Sequence, residues 1–117
     1  MQYFMYSTDP IPPDAPPPSP ELMAEMGKLI EDSLKAGVLV TTGAAQAKGT
    51  RVTLSGGKYT VTDGPFIEAK ELMGGFAIVN VKSLEEAVAW AKRFRDIVGD
   101  GTSEIIPIFS QLDAPAA

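Results

Sequence analysis

Between positions 63 and 75 the chain gathers its least ordinary local chemistry: Asp63-Gly64-Pro65-Phe66, then Ile67-Glu68-Ala69-Lys70-Glu71, then Gly74-Gly75. An Asx-turn uses the N–H two residues on, and for Asp63 that residue is Pro65, which has none. The Asp63 carboxylate is left to cap the N–H of Phe66, to hold a hairpin to the next strand, or to face a cavity. Gly64 is explained by the steric demands on the residue before a proline. If the segment from Phe66 to Leu72 is extended, Glu68 and Lys70 share one side, either as an exposed ion pair or as a polar pair in a cavity mouth. In a cavity mouth, burial would raise a carboxylate into general-acid range. If it is a helical turn, Glu68 lies beside Glu71 instead, and Asp63, Glu68 and Glu71 make an oxygen-only set of the Mg²⁺ or Ca²⁺ kind, without the spacing of a calcium loop. Asp63 and Glu68 are therefore the candidate proton-handling groups. Lys70, Glu71 and Arg51 are the candidate ligand contacts, and neither a metal nor a cofactor is expected.

The composition removes most other chemistries. The 117 residues include no histidine and no cysteine, so Ser-His and Cys-His machinery, zinc-thiolate sites and disulfides are all absent from the chain. A net charge of -5 has the wrong sign for gripping phosphate backbones, and no nucleic-acid role is expected. Gly56-Gly57 and Gly99-Asp100-Gly101 lack the lysine-hydroxyl or GxGxxG context of a phosphate loop and read as turns. Apolar runs are too short to span a bilayer, and no basic region precedes an apolar stretch as in a secretion signal. A single cytoplasmic domain is the expectation.

The elements that must position these groups can be read from pattern. Met1 to Tyr6 is aromatic-rich and predicts a strand. Prolines crowd residues 10–20, an exposed, extended connector. Ser19 before Pro20 is a helix start, and Leu22, Met26, Leu29, Ile30 and Leu34 recur at helical spacing up to Gly37. Met23 and Met26 are expected in the core, and Glu31 with Lys35 on a solvated face. Val38 to Thr42 predicts a strand. Thr50 to Thr62 predicts a hairpin turning at Gly56-Gly57, with Leu54 opposite Tyr59 and Val52 opposite Val61. A strand at Phe76–Val81 follows. Ser83 with Glu86 then opens a helix ending near Gly99, with Leu84, Ala87, Val88, Ala91, Phe94 and Val98 as its core stripe and Trp90 at the edge. Ser103 to Phe109 closes the sheet, leaving residues 111–117 as a tail.

Strand, helix, strand, hairpin, strand, helix, strand is an α+β order. It predicts a ferredoxin-like antiparallel sheet with both helices on one face and the hairpin inserted. Phe76–Val81 and Ile105–Phe109 nevertheless are near-continuous apolar runs, as in strands buried on both sides. The face without helices would present about 600 to 800 Å² of mostly apolar surface, close to one side of a standard interface. Burying it is worth a gross 15 to 20 kcal/mol, roughly, before association costs. A homodimer stacked sheet on sheet is the expected solution.

Asp63-Gly64-Pro65-Phe66, with Glu68, Lys70, Glu71 and the glycine pair in order, resembles the DGPF motif of the YCII-related proteins. The resemblance covers residues 1–110, through Glu104 and Pro107 in the last strand. It implies a dimeric α/β barrel. Some YCII-like relatives are lyases that eliminate halide with a His-Asp dyad, which a chain without histidine does not possess, and Ile106 stands where the family often has arginine. Two functions are therefore expected as alternatives: a small-molecule-binding dimer with weak lyase-type acid/base activity, its cavity between sheet and helices, or a non-catalytic regulatory dimer. The resemblance of some DGPF proteins to companions of extracytoplasmic-function sigma factors supports the second.

Overall fold

The computed structural model describes residues 1–8, 16–44, 49–63 and 75–109. Strand β1 (Gln2–Ser7) leads through helix α1 (Pro20–Lys35) to β2 (Leu39–Ala44), and strands β3 (Thr50–Ser55) and β4 (Lys58–Asp63) follow. Then come β5 (Gly75–Asn80), α2 (Leu84–Val98) and β6 (Ser103–Ile108). The four-stranded sheet has the order β2-β5-β1-β6, antiparallel at each junction. This is the strand order of a ferredoxin-like fold, and β3 and β4 form a separate two-stranded sheet inserted into it.

Local chemistry sets the helix limits. The Ser19 hydroxyl accepts from the N–H of Leu22 and Pro20 occupies the first turn, so two of the orphan positions of α1 are provided for. Ser83 caps α2 through the N–H of Glu86, and the Glu86 carboxylate accepts in turn from the N–H of Lys82. Gly99, at φ 93°, ends α2 in a conformation that favours glycine.

The core lies between the helices and one face of the sheet. Tyr3, Val38, Val79, Val81 and Ala87 are buried together, with Met5, Leu39, Trp90 and Ile105 packed against them. Alternation along the strands sends Phe4, Tyr6, Phe76, Ile78, Ile106 and Ile108 to the opposite face. There Phe4 stacks at 5.5 Å from Tyr6 and 5.8 Å from Phe76. None of these six side chains is buried, and Ile106 is 44% exposed, against 3% and 2% for Tyr3 and Val79 on the helix side.

Two irregularities mark the borders of the sheet. In β2 the pairing with β5 shifts between Leu39 and Thr41, which leaves Val40 outside the ladder and exposed. In β6, Pro107 sits opposite Tyr3, and β6 is an edge strand, where a residue without an N–H is tolerated.

The hairpin has the register its sequence predicts: Leu54 pairs with Tyr59, Val52 with Val61 and Arg51 with Thr62. Gly56 and Gly57 at φ 57° and 78° make the tight turn. The core stripes are narrower than their periodicity suggested. Leu84 and Val98 are the first and last residues of α2 and are exposed, as is Leu34 in the last turn of α1. Met23, about 100° around the helix from Leu22, points away from the sheet and is exposed too, whereas Met26 is half-buried. Asp32, in the charged cluster of α1, crosses to α2: the Arg93 guanidinium donates to its carboxylate at 2.9 Å. Lys35 and Glu31 pair within α1 at 2.8 Å.

The Arg93 hydrogen bond holds the Asp32 carboxyl below its usual range. Its folded value is the lower one, so this contribution to stability is present above the unfolded value and disappears as pH falls through the folded one. Thermal melts should show Asp32→Asn less stable than wild type near neutral pH, the gap closing as the pH drops through the carboxylate range. Ala87 is completely buried; Ala87→Leu should cost about 1–3 kcal/mol in denaturant titration, while the same change at exposed Ala89 should cost little.

Candidate functional site

A cavity of about 140 Å³ lies between the helix-side face of the sheet and the two helices. Met5 of β1 and Ala77 and Val79 of β5 form its floor, and Leu29 of α1 with Trp90 and Phe94 of α2 form its roof. The periodicities that build the core also build this space: residues two apart on a strand and three or four apart on a helix bring their apolar side chains to one volume.

The wall is apolar but not uniformly so. Ser7 and Ser33 are both buried, and Thr42 and Ser103 join them in lining the cavity. The Ser33 hydroxyl donates to the Ile30 carbonyl at 2.9 Å, and that of Thr42 to the Phe76 carbonyl at 2.8 Å. Arg95 donates through Nη2 to the Ser7 hydroxyl at 3.3 Å while its guanidinium lies 5.0 Å from the Phe94 ring centre. The hydroxyls stand at separate points of the wall, Thr42 on the edge strand β2 and Ser103 on the edge strand β6, so the cavity is an apolar space with dispersed polar contacts.

Ser33 and Arg95 escaped the sequence reading, although pattern carried a signal for each. Ser33 falls four residues after Leu29 on the apolar row of α1, and Arg95 four after Ala91 on that of α2. A polar residue inside an otherwise apolar row is the informative exception.

The sequence-derived candidates stand elsewhere. Asp63 is exposed at the end of β4, opposite Thr50, whose hydroxyl donates to its Oδ1 at 3.1 Å. This contact closes the open end of the hairpin, a role outside the three that its sequence context suggested. Arg51 is exposed on the hairpin side opposite the Leu54–Tyr59 pair. Glu68, Lys70 and Glu71, and the choice between extended and helical forms for 66–72, lie outside the described residues, as do 9–15 of the connector and the tail 111–117. Among the described residues, no group of three carboxylates is placed to hold a metal ion, and no helix is long and apolar enough to cross a membrane.

On the face turned away from the helices, the Tyr6 hydroxyl donates to the Glu104 carboxylate, its register partner across β1 and β6. The two put a polar spot beside Phe4 and Phe76 on an otherwise apolar surface.

Comparison with known proteins matches residues 1–110 to the YCII-related domain. The chain belongs to the YCII-related family. That match runs through every element described above, so the cavity and the uncovered sheet face are both features of this YCII-related domain. No curated protein matches the chain.

Val79 is 2% exposed, belongs to the buried core and lines the cavity. Val79→Ala should enlarge the cavity and lower stability by about 2 kcal/mol in urea titration, without changing the far-ultraviolet dichroism of the folded state.

Proposed function

We propose that this YCII-related protein, of the DGPF-motif kind, binds a small organic ligand as a homodimer whose sheets stack into a dimeric α/β barrel. The observation that carries the ligand reading is the apolar cavity of about 140 Å³, whose wall carries a few dispersed hydroxyls. A dry cavity of about 150 Å³ accepts benzene, so the ligand class is a largely apolar molecule of one small ring or a short branched chain. The dimer reading draws its support from the uncovered face around Phe4, Phe76, Ile78 and Ile106, an arrangement that a second sheet would complete.

A weak lyase-type activity would depend on acid–base groups. Asp63 and Glu68 are the residues we assign to it, with Lys70, Glu71 and Arg51 as its ligand contacts; Asp63 and Arg51 stand on the hairpin and do not line the cavity, so this activity is a reading separate from the cavity's occupancy. A second reading, a regulatory dimer without catalysis such as a companion of an extracytoplasmic-function sigma factor, is favoured by the apolar side chains that stay exposed on the hairpin, Tyr59 at 73% among them.

The chain has one tryptophan, and Trp90 lines the cavity, so its fluorescence reports occupancy directly. Titration with phenol-sized compounds should change Trp90 emission and raise the melting temperature, and Ala77→Leu, which fills the space from its floor, should abolish both responses. Thermal stability unmoved across a broad set of such compounds would refute the ligand reading. Asp63→Asn and Glu68→Gln should leave occupancy of the cavity unchanged and remove any lyase turnover that the protein shows.

A further inference from the structure

The hairpin poses a physical problem that the rest of the chain does not. Val52, Leu54, Tyr59 and Val61 occupy one of its faces as two directly opposed pairs, at 64%, 58%, 73% and 66% exposure. Every residue of β3 and β4 is exposed, and the pair makes no ladder with the four-stranded sheet. A lone two-stranded hairpin is marginal in water. Its four side chains present about 400 to 500 Å² of largely apolar surface, at the upper end of what a monomer ordinarily leaves uncovered.

The surface available to it favours one occupant. The insertion that contains the hairpin leaves the sheet after Ala44 and rejoins it at Gly75, and these two residues are partners at one corner of the sheet. Next along the ladder, Gly43 pairs with Phe76. Phe76 belongs to the uncovered face, and its ring would stand 3.3 Å from a Cβ placed on Gly43. The face itself consists largely of side chains that are already half-buried, and it falls short of the roughly 800 Å² per partner that a stable association needs. The stripe supplies the shortfall. The stripe carries no charge, while the opposite face bears Arg51, Thr53, Thr60 and Thr62. A two-fold pair of chains uses such a stripe twice and leaves none open for further addition.

We propose that the hairpin is an arm that lays its Val52–Leu54–Tyr59–Val61 stripe on a second copy of this chain and thereby completes the dimer interface. This inference rests on the homodimer reading above. Hydrogen exchange of the full chain, followed across a dilution series with the mass tracked by light scattering, tests it. Ile106→Arg on the sheet face supplies the monomer if dilution does not reach it. Amides of residues 50–63 should be protected in the dimer and exchange freely in the monomer. Replacing all four stripe residues by threonine, which retains strand propensity, should weaken dimerisation about tenfold or more. Protection that is equal in dimer and monomer means that another part of the same chain, or nothing, covers the stripe, and overturns the proposal. So does a four-threonine variant that dimerises within twofold of wild type, in which case Ile106→Arg still separates the chains and the sheet-on-sheet reading survives alone. A wild-type chain that is monomeric at all concentrations, with Ile106→Arg making no difference to its mass, removes both.

Discussion

A four-stranded sheet needs cover on two sides, and this chain supplies two helices to one of them. Tyr3 and Val79 are almost completely buried beneath α1 and α2, while Phe4 and Ile78, their neighbours along the same strands, lie on the other side and are only half-buried. Most other features follow from that asymmetry. The helix side is where two apolar layers face each other, so the cavity lies there. The far side keeps its aromatic cluster accessible, and with it the Tyr6–Glu104 hydrogen bond, whose carboxylate would sit in a low-dielectric setting under any apolar cover.

Much of this architecture is legible in the residues because local and long-range preferences agree. Ser19-Pro20 and Ser83 with Glu86 mark the helix starts, since their side chains can meet N–H groups that the backbone leaves unpaired. Gly56-Gly57 fixes the hairpin, because a shift by one residue would set Leu54 against a polar partner. Periodicity fails at the ends of elements. Leu84 and Val98 have the spacing of core residues yet extend past the sheet that would cover them, and a pattern of spacing contains no information on where the opposite surface stops. Asp32 shows what spacing omits: it stays on the exposed side of α1, and only the approach of α2 supplies Arg93 as its partner.

The site was less legible than the fold. The run from Asp63 to Gly75 draws attention by its residue types, and those types describe what a segment can do without saying what it faces. Asp63 illustrates the limit: its missing Asx-turn partner is visible in sequence, but the hydroxyl that it accepts from belongs to Thr50, 13 residues earlier. The cavity, by contrast, is made from side chains with no chemical distinction of their own. Ser7 and Ser33 become notable only when strands and helices turn them into the cavity wall, and Arg95 only through its bond to Ser7.

Pro107 and the bulge at Val40 have an effect on how molecules of this protein can accumulate. They interrupt the two outer strands, one by withdrawing a donor and the other by breaking the spacing of the rungs. Lateral growth of the main sheet into ribbons, the ordinary route from a greasy β-protein to filaments, therefore meets a defect on either side. A chain that leaves so much oily surface accessible stays protected against runaway polymerisation by two small faults in its own hydrogen-bonding margins.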